Sequence, residues 1–133
     1  MEKVFHRTLA ELERVFYFIE HQLVSEKVDG KAAFAVKFVV EELFTNMVKY
    51  GKGSKGDITL GIMRAGDACK VTMVDDDVDE FDITKPKEID ISQSLEERTP
   101  GGLGIYLISK IVDSIDYRYA NRQSTITFTK RLE

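Results

Sequence analysis

Cysteine is almost missing from this chain: Cys69 is the only one in 133 residues. A lone cysteine excludes an intrachain disulfide and any cysteine-rich metal site. Flanked by Ala68 and Val71, it reads as an ordinary strand thiol of a reducing compartment. A basic excess is also missing, with 19 Lys and Arg against 23 Asp and Glu and a net charge of −4. That balance argues against direct nucleic-acid binding, which calls for a Lys/Arg-rich face. No apolar run reaches the length of a membrane span, because Lys37, Glu41 and Glu42 interrupt the best one. The opening MEKVFHRTLA carries charge where a signal peptide needs an apolar stretch. The expectation is a soluble, cytoplasmic protein. Repeats, low-complexity tracts and linkers are absent too, as are the Walker and protein-kinase signatures.

What remains is enough for one domain over residues 1–133, since 43% of the residues are hydrophobic and can build a core. The segment EKVFHRTL fits a short strand. From about Ala10 to Lys27, Leu12, Val15, Phe16, Ile19 and Leu23 recur at helical spacing. VDG at 28–30 marks a turn, with Gly30 expected to close that helix, and a second helix runs from about Lys31 to Tyr50. GKGSKGD at 51–57 reads as a loop. ITLGIMRAGDACKVTMVDDD follows as two strands joined through Ala65-Gly66-Asp67. The polar stretch from Asp75 to Pro100 has no clear period and is expected to act as a lid over about 77–100. A helix over 103–112 and two closing strands, IDYRYA and STITFTKRL, complete the chain. Helices early and strands mostly late predict an α+β fold: a mixed or antiparallel sheet with helices on one face.

Chemistry concentrates in two places. In EELFTNMVKYG at 41–51, Glu42 lies four residues before Asn46. On a wheel of 3.6 residues per turn, Val36, Val40, Leu43 and Met47 form a stripe. Asn46 falls roughly 80° and Glu42 roughly 120° from its centre, while Glu41 falls beyond the other edge. Glu42 and Asn46 thus share one border of the buried face, a carboxylate fit for a base beside an amide fit for a hard metal. The same pair also suits a solvated helix edge. In TPGGLGIYLISKIVD at 99–113, Gly101, Gly102 and Gly104 open a helix. Bare backbone N–H groups at a helix start suit phosphate, and the glycines equally suit tight helix-on-sheet packing. Arg98 just upstream reads as a surface arginine or as a fork for a terminal phosphate.

DDDVDEFD at 75–82 holds six carboxylates. As a calcium loop it would need Gly at Glu80 and Glu at Pro86, so that reading fails. One Asp leaving a strand can instead accept a hydrogen bond from a purine amino group.

Taken together, these segments resemble the GHKL superfamily of ATP-binding domains, and within it the small anti-sigma-factor serine/threonine kinases of the RsbW and SpoIIAB type. EELFTNMVKYG resembles the N-box, DDVDEFD at 76–82 the strand-end Asp box, TPGGLGIYLISKIVD the second glycine box, and DYRYANRQSTITFTKRL the final hairpin. The resemblance covers nearly the whole chain in family order. It implies a two-layer α/β sandwich with ATP between the helices and a lid. It implies Glu42 as general base and Asn46 as the Mg²⁺ ligand. Asp76 would bind the adenine amino group with Thr125 nearby, Gly102, Leu103 and Gly104 would frame the phosphates, and Arg98 would contact the γ-phosphate. The implied partners are a sigma factor and a STAS-type anti-anti-sigma antagonist, with a homodimer as the assembly common in the type.

Two positions depart from the family pattern. The Asp box normally reads Asp-x-Gly. Aligning on Phe81-Asp82 puts Val78 in the glycine's place, and shifting the register to Asp75 puts Asp77 there. Tyr50 replaces the histidine common at the end of the N-box. A missing glycine at the base site points to weakened or rearranged adenine binding. The alternative function is therefore a degenerate switch that holds a nucleotide or a partner without phosphoryl transfer.

Overall fold

The computed structural model describes residues 1–84 and 102–132, with the backbone alone at 102 and 103. In chain order it contains β1 (Glu2–Phe5), a 3-10 turn (Leu9–Glu11), α1 (Leu12–Ser25), α2 (Gly30–Tyr50), β2 (Ile58–Ala65) and β3 (Ala68–Asp76). It then continues through α3 (Gly102–Ile111), β4 (Ser114–Ala120) and β5 (Gln123–Arg131). The strands form one sheet in the order β1-β2-β3-β5-β4, and every pairing is antiparallel. The expected two-layer α/β sandwich is therefore present, with an antiparallel sheet.

The strand pleat decides which side chains enter the core. Along β2, Ile58, Leu60 and Ile62 are buried, and along β3 so are Cys69, Val71 and Met73. In register beside them lie Ile126 and Phe128 of β5. Successive residues of a strand face opposite ways, so these positions form one apolar face. The stripes of α1 and α2 cover it. Val36, Val40, Leu43 and Met47 are all buried, as the wheel predicted, and Phe44 joins them. Phe44 and Phe18 each meet the ring of Phe5 edge-on, at 6.4 and 5.9 Å, the geometry that the ring quadrupole favours. Burial pushes the Cys69 thiol up to about 11, with the charge of Glu26 adding to it, so the thiol is inert.

Two expectations for the first helix change. Phe16 is exposed and Phe18 is buried instead, because the buried stripe runs Val15, Phe18, Ile19, Leu23. Gly30 does not close α1 but opens α2. The stop comes at Lys27, whose φ of 58° is left-handed. There Lys27 N–H donates to the Val24 carbonyl and Val28 N–H to that of Leu23. This is a Schellman ending, sealed by contact of buried Val28 with buried Leu23. At the β2–β3 turn, Gly66 carries a φ of 65° without steric cost.

A non-glycine residue in the left-handed region costs about 1 kcal/mol or more. Lys27→Gly is therefore expected to stabilise the fold by about 0.5–1 kcal/mol, read as a higher urea midpoint with an unchanged slope. Phe44→Ala is expected to cost about 3–5 kcal/mol in the same measurement.

Candidate functional site

Asn46 packs beside the buried stripe of α2 and is only 3% exposed. Its side-chain nitrogen donates to the carbonyl of Glu42, 2.6 Å away on the preceding turn. With the nitrogen committed to the helix, the amide oxygen is the atom suited to a hard cation. Among the described residues, no group of three or more His, Cys, Asp or Glu forms a metal cage. A cation held here would draw its remaining ligands from water and phosphate, as Mg²⁺ commonly does.

Glu42 is half-buried and lines a cavity of about 680 Å³ with Arg7, Asn46, Lys49, Lys52 and Ser54. Burial raises its carboxyl above the ordinary glutamate value, and the neighbouring charge of Glu41 raises it further. The glycine turn meets this carboxylate directly. A Cβ added at Gly104 would overlap the Glu42 carboxyl group. The absent side chain lets α3 approach α2, so the two segments singled out in the sequence converge on one point. Gly102 and Leu103 stand at the start of α3, but their side-chain surroundings, Arg98 and the expected lid from residue 85 onward lie outside the described residues.

A second cleft, of about 430 Å³, opens at the end of the inner face. Asp75 and Ser124 form its floor as cross-strand partners, and Met47, Val78 and Ile83 give it apolar walls. Tyr50 and Phe81 stack at 5.0 Å on its side. Both clefts are lined by Lys52, Gly53 and Ser54.

The pleat corrects two expected positions here. Asp76 points outward and is exposed, so its side chain does not face this cleft; Asp75, 7% exposed, is the carboxylate inside. Thr125 likewise falls outside, in a shallow pocket with Arg118 and Gln123, and Ser124 takes the inner place. The alternation Cys69, Val71, Met73 already leads to Asp75. The register is thus the one that sets Asp77 in the family's glycine position. Asp77 adopts a φ of 58° there, which Asp tolerates far better than a β-branched residue would.

The first residues of the expected lid are tied down. Val78 N–H donates to the Arg122 carbonyl at 2.9 Å, and the Tyr119 hydroxyl donates to the Val78 carbonyl at 2.9 Å. Arg122 bonds Asp77 and Asp79 at 3.1 and 2.8 Å. The Lys55 N–H and then Arg122 hold the Asp77 carboxyl below the ordinary aspartate value.

One residue of the site carries no sequence signal. Arg7, between β1 and the 3-10 turn, sends a side chain only 6% exposed to Asp75, with Nη2 2.6 Å from Oδ1. It also donates to the carbonyls of Met47 at 3.1 Å and Asp76 at 3.0 Å. Burial raises the Asp75 carboxyl in spite of this partner. Buried Glu11 fixes the segment that aims Arg7 inward, accepting from His6 N–H at 2.9 Å and from Arg14 at 2.7 Å.

This fold agrees with the comparisons. The sequence profile of the histidine kinase-like ATPase domain matches residues 5–130. The chain belongs to that family. Its fold is similar to the RsbU and RsbW domains of Rv1364c from Mycobacterium tuberculosis, at a TM-score of 0.67 and 16% identity, covering 98% of this chain and 32% of that one. The chain thus spans about a third of that protein. It is also similar to the Acinetobacter baumannii histidine kinase AdeS, at a TM-score of 0.50 and 15% identity, covering all of this chain and 68% of that one. No curated protein matches it in sequence. Among the described residues, no helix is long and apolar enough to cross a membrane.

The raised carboxyl of Glu42 has a consequence for stability. A carboxyl whose folded pKa lies above its unfolded value destabilises the fold once ionised, and that cost disappears below the unfolded value. Glu42→Gln is therefore expected to raise the melting temperature at about pH 8, with the gain fading as pH falls towards about 4.

Proposed function

We propose that this chain is an ATP-dependent serine/threonine protein kinase that acts as an anti-sigma factor. It would bind a sigma factor and phosphorylate a STAS-type anti-anti-sigma antagonist in the cytoplasm. The observation that carries this reading is the packing of the Glu42 carboxylate against Gly104, with Asn46 one turn along α2. A base and a metal ligand then border one cavity, and the glycine turn stands directly against the base. The RsbW-type fold neighbour supports the choice of partners.

In this reading Glu42 accepts the proton of the acceptor hydroxyl. The hydroxyl oxygen bonds to the γ-phosphorus as the bond to the β–γ bridging oxygen breaks, releasing ADP. A carboxyl raised by burial keeps more basicity for that step. Asn46 holds Mg²⁺, which when bound neutralises phosphate charge. Gly102, Leu103 and Gly104 frame the phosphates at the α3 N-terminus, and Arg98 contacts the γ-phosphate. Asp75 takes the adenine role first given to Asp76, and Ser124 the place first given to Thr125.

A second reading, a switch that holds nucleotide or partner without transfer, is favoured by the Arg7–Asp75 ion pair at the base site. Purified protein with Mg-ATP and a STAS-type substrate separates the two, because transfer of phosphate occurs only in the first. Asn46→Ala is expected to abolish the Mg²⁺-dependent part of ATP affinity; unchanged affinity removes its metal role. Glu42→Gln is expected to spare binding and eliminate transfer. Gly104→Ala meets only the movable end of Glu42, so it is expected to fold with little loss of stability while cutting transfer by about tenfold or more.

A further inference from the structure

Arg7 stands between the two clefts. It lines the cavity of Glu42 and Asn46, while its ion-pair partner Asp75 lines the cleft of Tyr50 and Phe81. Its guanidinium also spans carbonyls from three places: Met47 near the end of α2, Gly56 in the loop before β2, and Asp76 at the end of β3. The space it fills is kept open by Gly51, where a Cβ would overlap Arg7 Nη1. Arg7 Nη2 stands 2.6 Å from Asp75 Oδ1, and both side chains are almost closed to water.

A purine amino group approaching Asp75 must share its carboxylate with this cation. The amino group is neutral, so it gains less from the carboxylate than a guanidinium whose Nη2 stands 2.6 Å from Oδ1. A guanine, with an oxygen in place of that amino group, normally loses at a carboxylate floor. With the carboxylate charge already balanced by Arg7 from behind the cleft floor, that penalty shrinks. Arg7 also lines the cavity of Glu42 and Asn46, so its charge at the phosphate end acts equally on every nucleoside triphosphate.

Building on the nucleotide reading above, we propose that Arg7 is a specificity-determining residue that masks Asp75, so that the site takes nucleoside triphosphates mainly by their phosphate chain and discriminates weakly among purine bases. Removing the guanidinium returns Asp75 to the base, and adenine selectivity appears.

The test is calorimetric titration of the wild-type chain and Arg7→Met with Mg-ATP, Mg-GTP and Mg-tripolyphosphate. Wild type is expected to bind ATP and GTP within about threefold of each other, and Arg7→Met to raise the ATP-over-GTP ratio about tenfold, with tripolyphosphate measuring separately the loss at the phosphate end that both nucleotides share. If Arg7→Met does not fold, by circular dichroism, Arg7→Lys serves. Its compact ammonium keeps the charge without the fork and is expected to raise the ratio about threefold. A wild-type chain that already prefers ATP more than tenfold, or a ratio unmoved in the folded variant, overturns the masking role and leaves the nucleotide reading standing. Failure of all three ligands to bind either protein overturns both.

Discussion

A carboxylate buried at the end of the central strand of a sheet has to be neutralised, and the ion pair of Asp75 with Arg7 does this. Leaving either charge buried alone would cost about 3–5 kcal/mol, a large share of a small domain's stability. The guanidinium does more than cancel charge. Its donors reach backbone carbonyls near the end of α2, in the loop before β2 and at the end of β3. One side chain thereby joins three segments and stands between the two clefts.

The meeting of Glu42 with Gly104 follows a different logic, in which local stability is given up. Glu42 is held where burial disfavours its charge, and Gly104 occupies a first helical turn where a side chain would favour the helix by about 1 kcal/mol. Neither choice helps the fold. Both bring a basic carboxylate to the N-terminal turn of α3, beside Asn46. Sites where local rules are broken are where function is expected.

Strain gathers on the opposite wall. Asp77, Asn121 and Arg122 all have left-handed φ, between 53° and 60°. Asn at the first position of the β4–β5 turn is usual, whereas Arg at the second stands where glycine is preferred. Arg122 bonds Asp77 and Asp79 from that conformation, so the turn and the start of the loop after β3 hold one another in place. The wall of the base cleft is thus a cross-braced pair of tight turns.

Periodicity in the sequence determined the α2 stripe of Val36, Val40, Leu43 and Met47, the β2–β3 hairpin at Gly66, the α+β order, and the Glu42/Asn46 and glycine segments. These rest on local spacing, which a helix of 3.6 residues per turn or a two-residue pleat converts directly into a face. The choice of Asp75 over Asp76, and of Ser124 over Thr125, needed the sheet itself. Within a run of adjacent acidic or hydroxyl residues composition is the same on both faces, and only cross-strand register says which one points in. Phe18 replaced Phe16 because a helix flanked by aromatics on several sides is oriented by what it packs against. Arg7 was invisible in the sequence because its partners, Met47, Gly56 and Asp75, lie 40 to 68 positions away along the chain. A buried ion pair of that span is created by tertiary folding, since no local pattern can carry it.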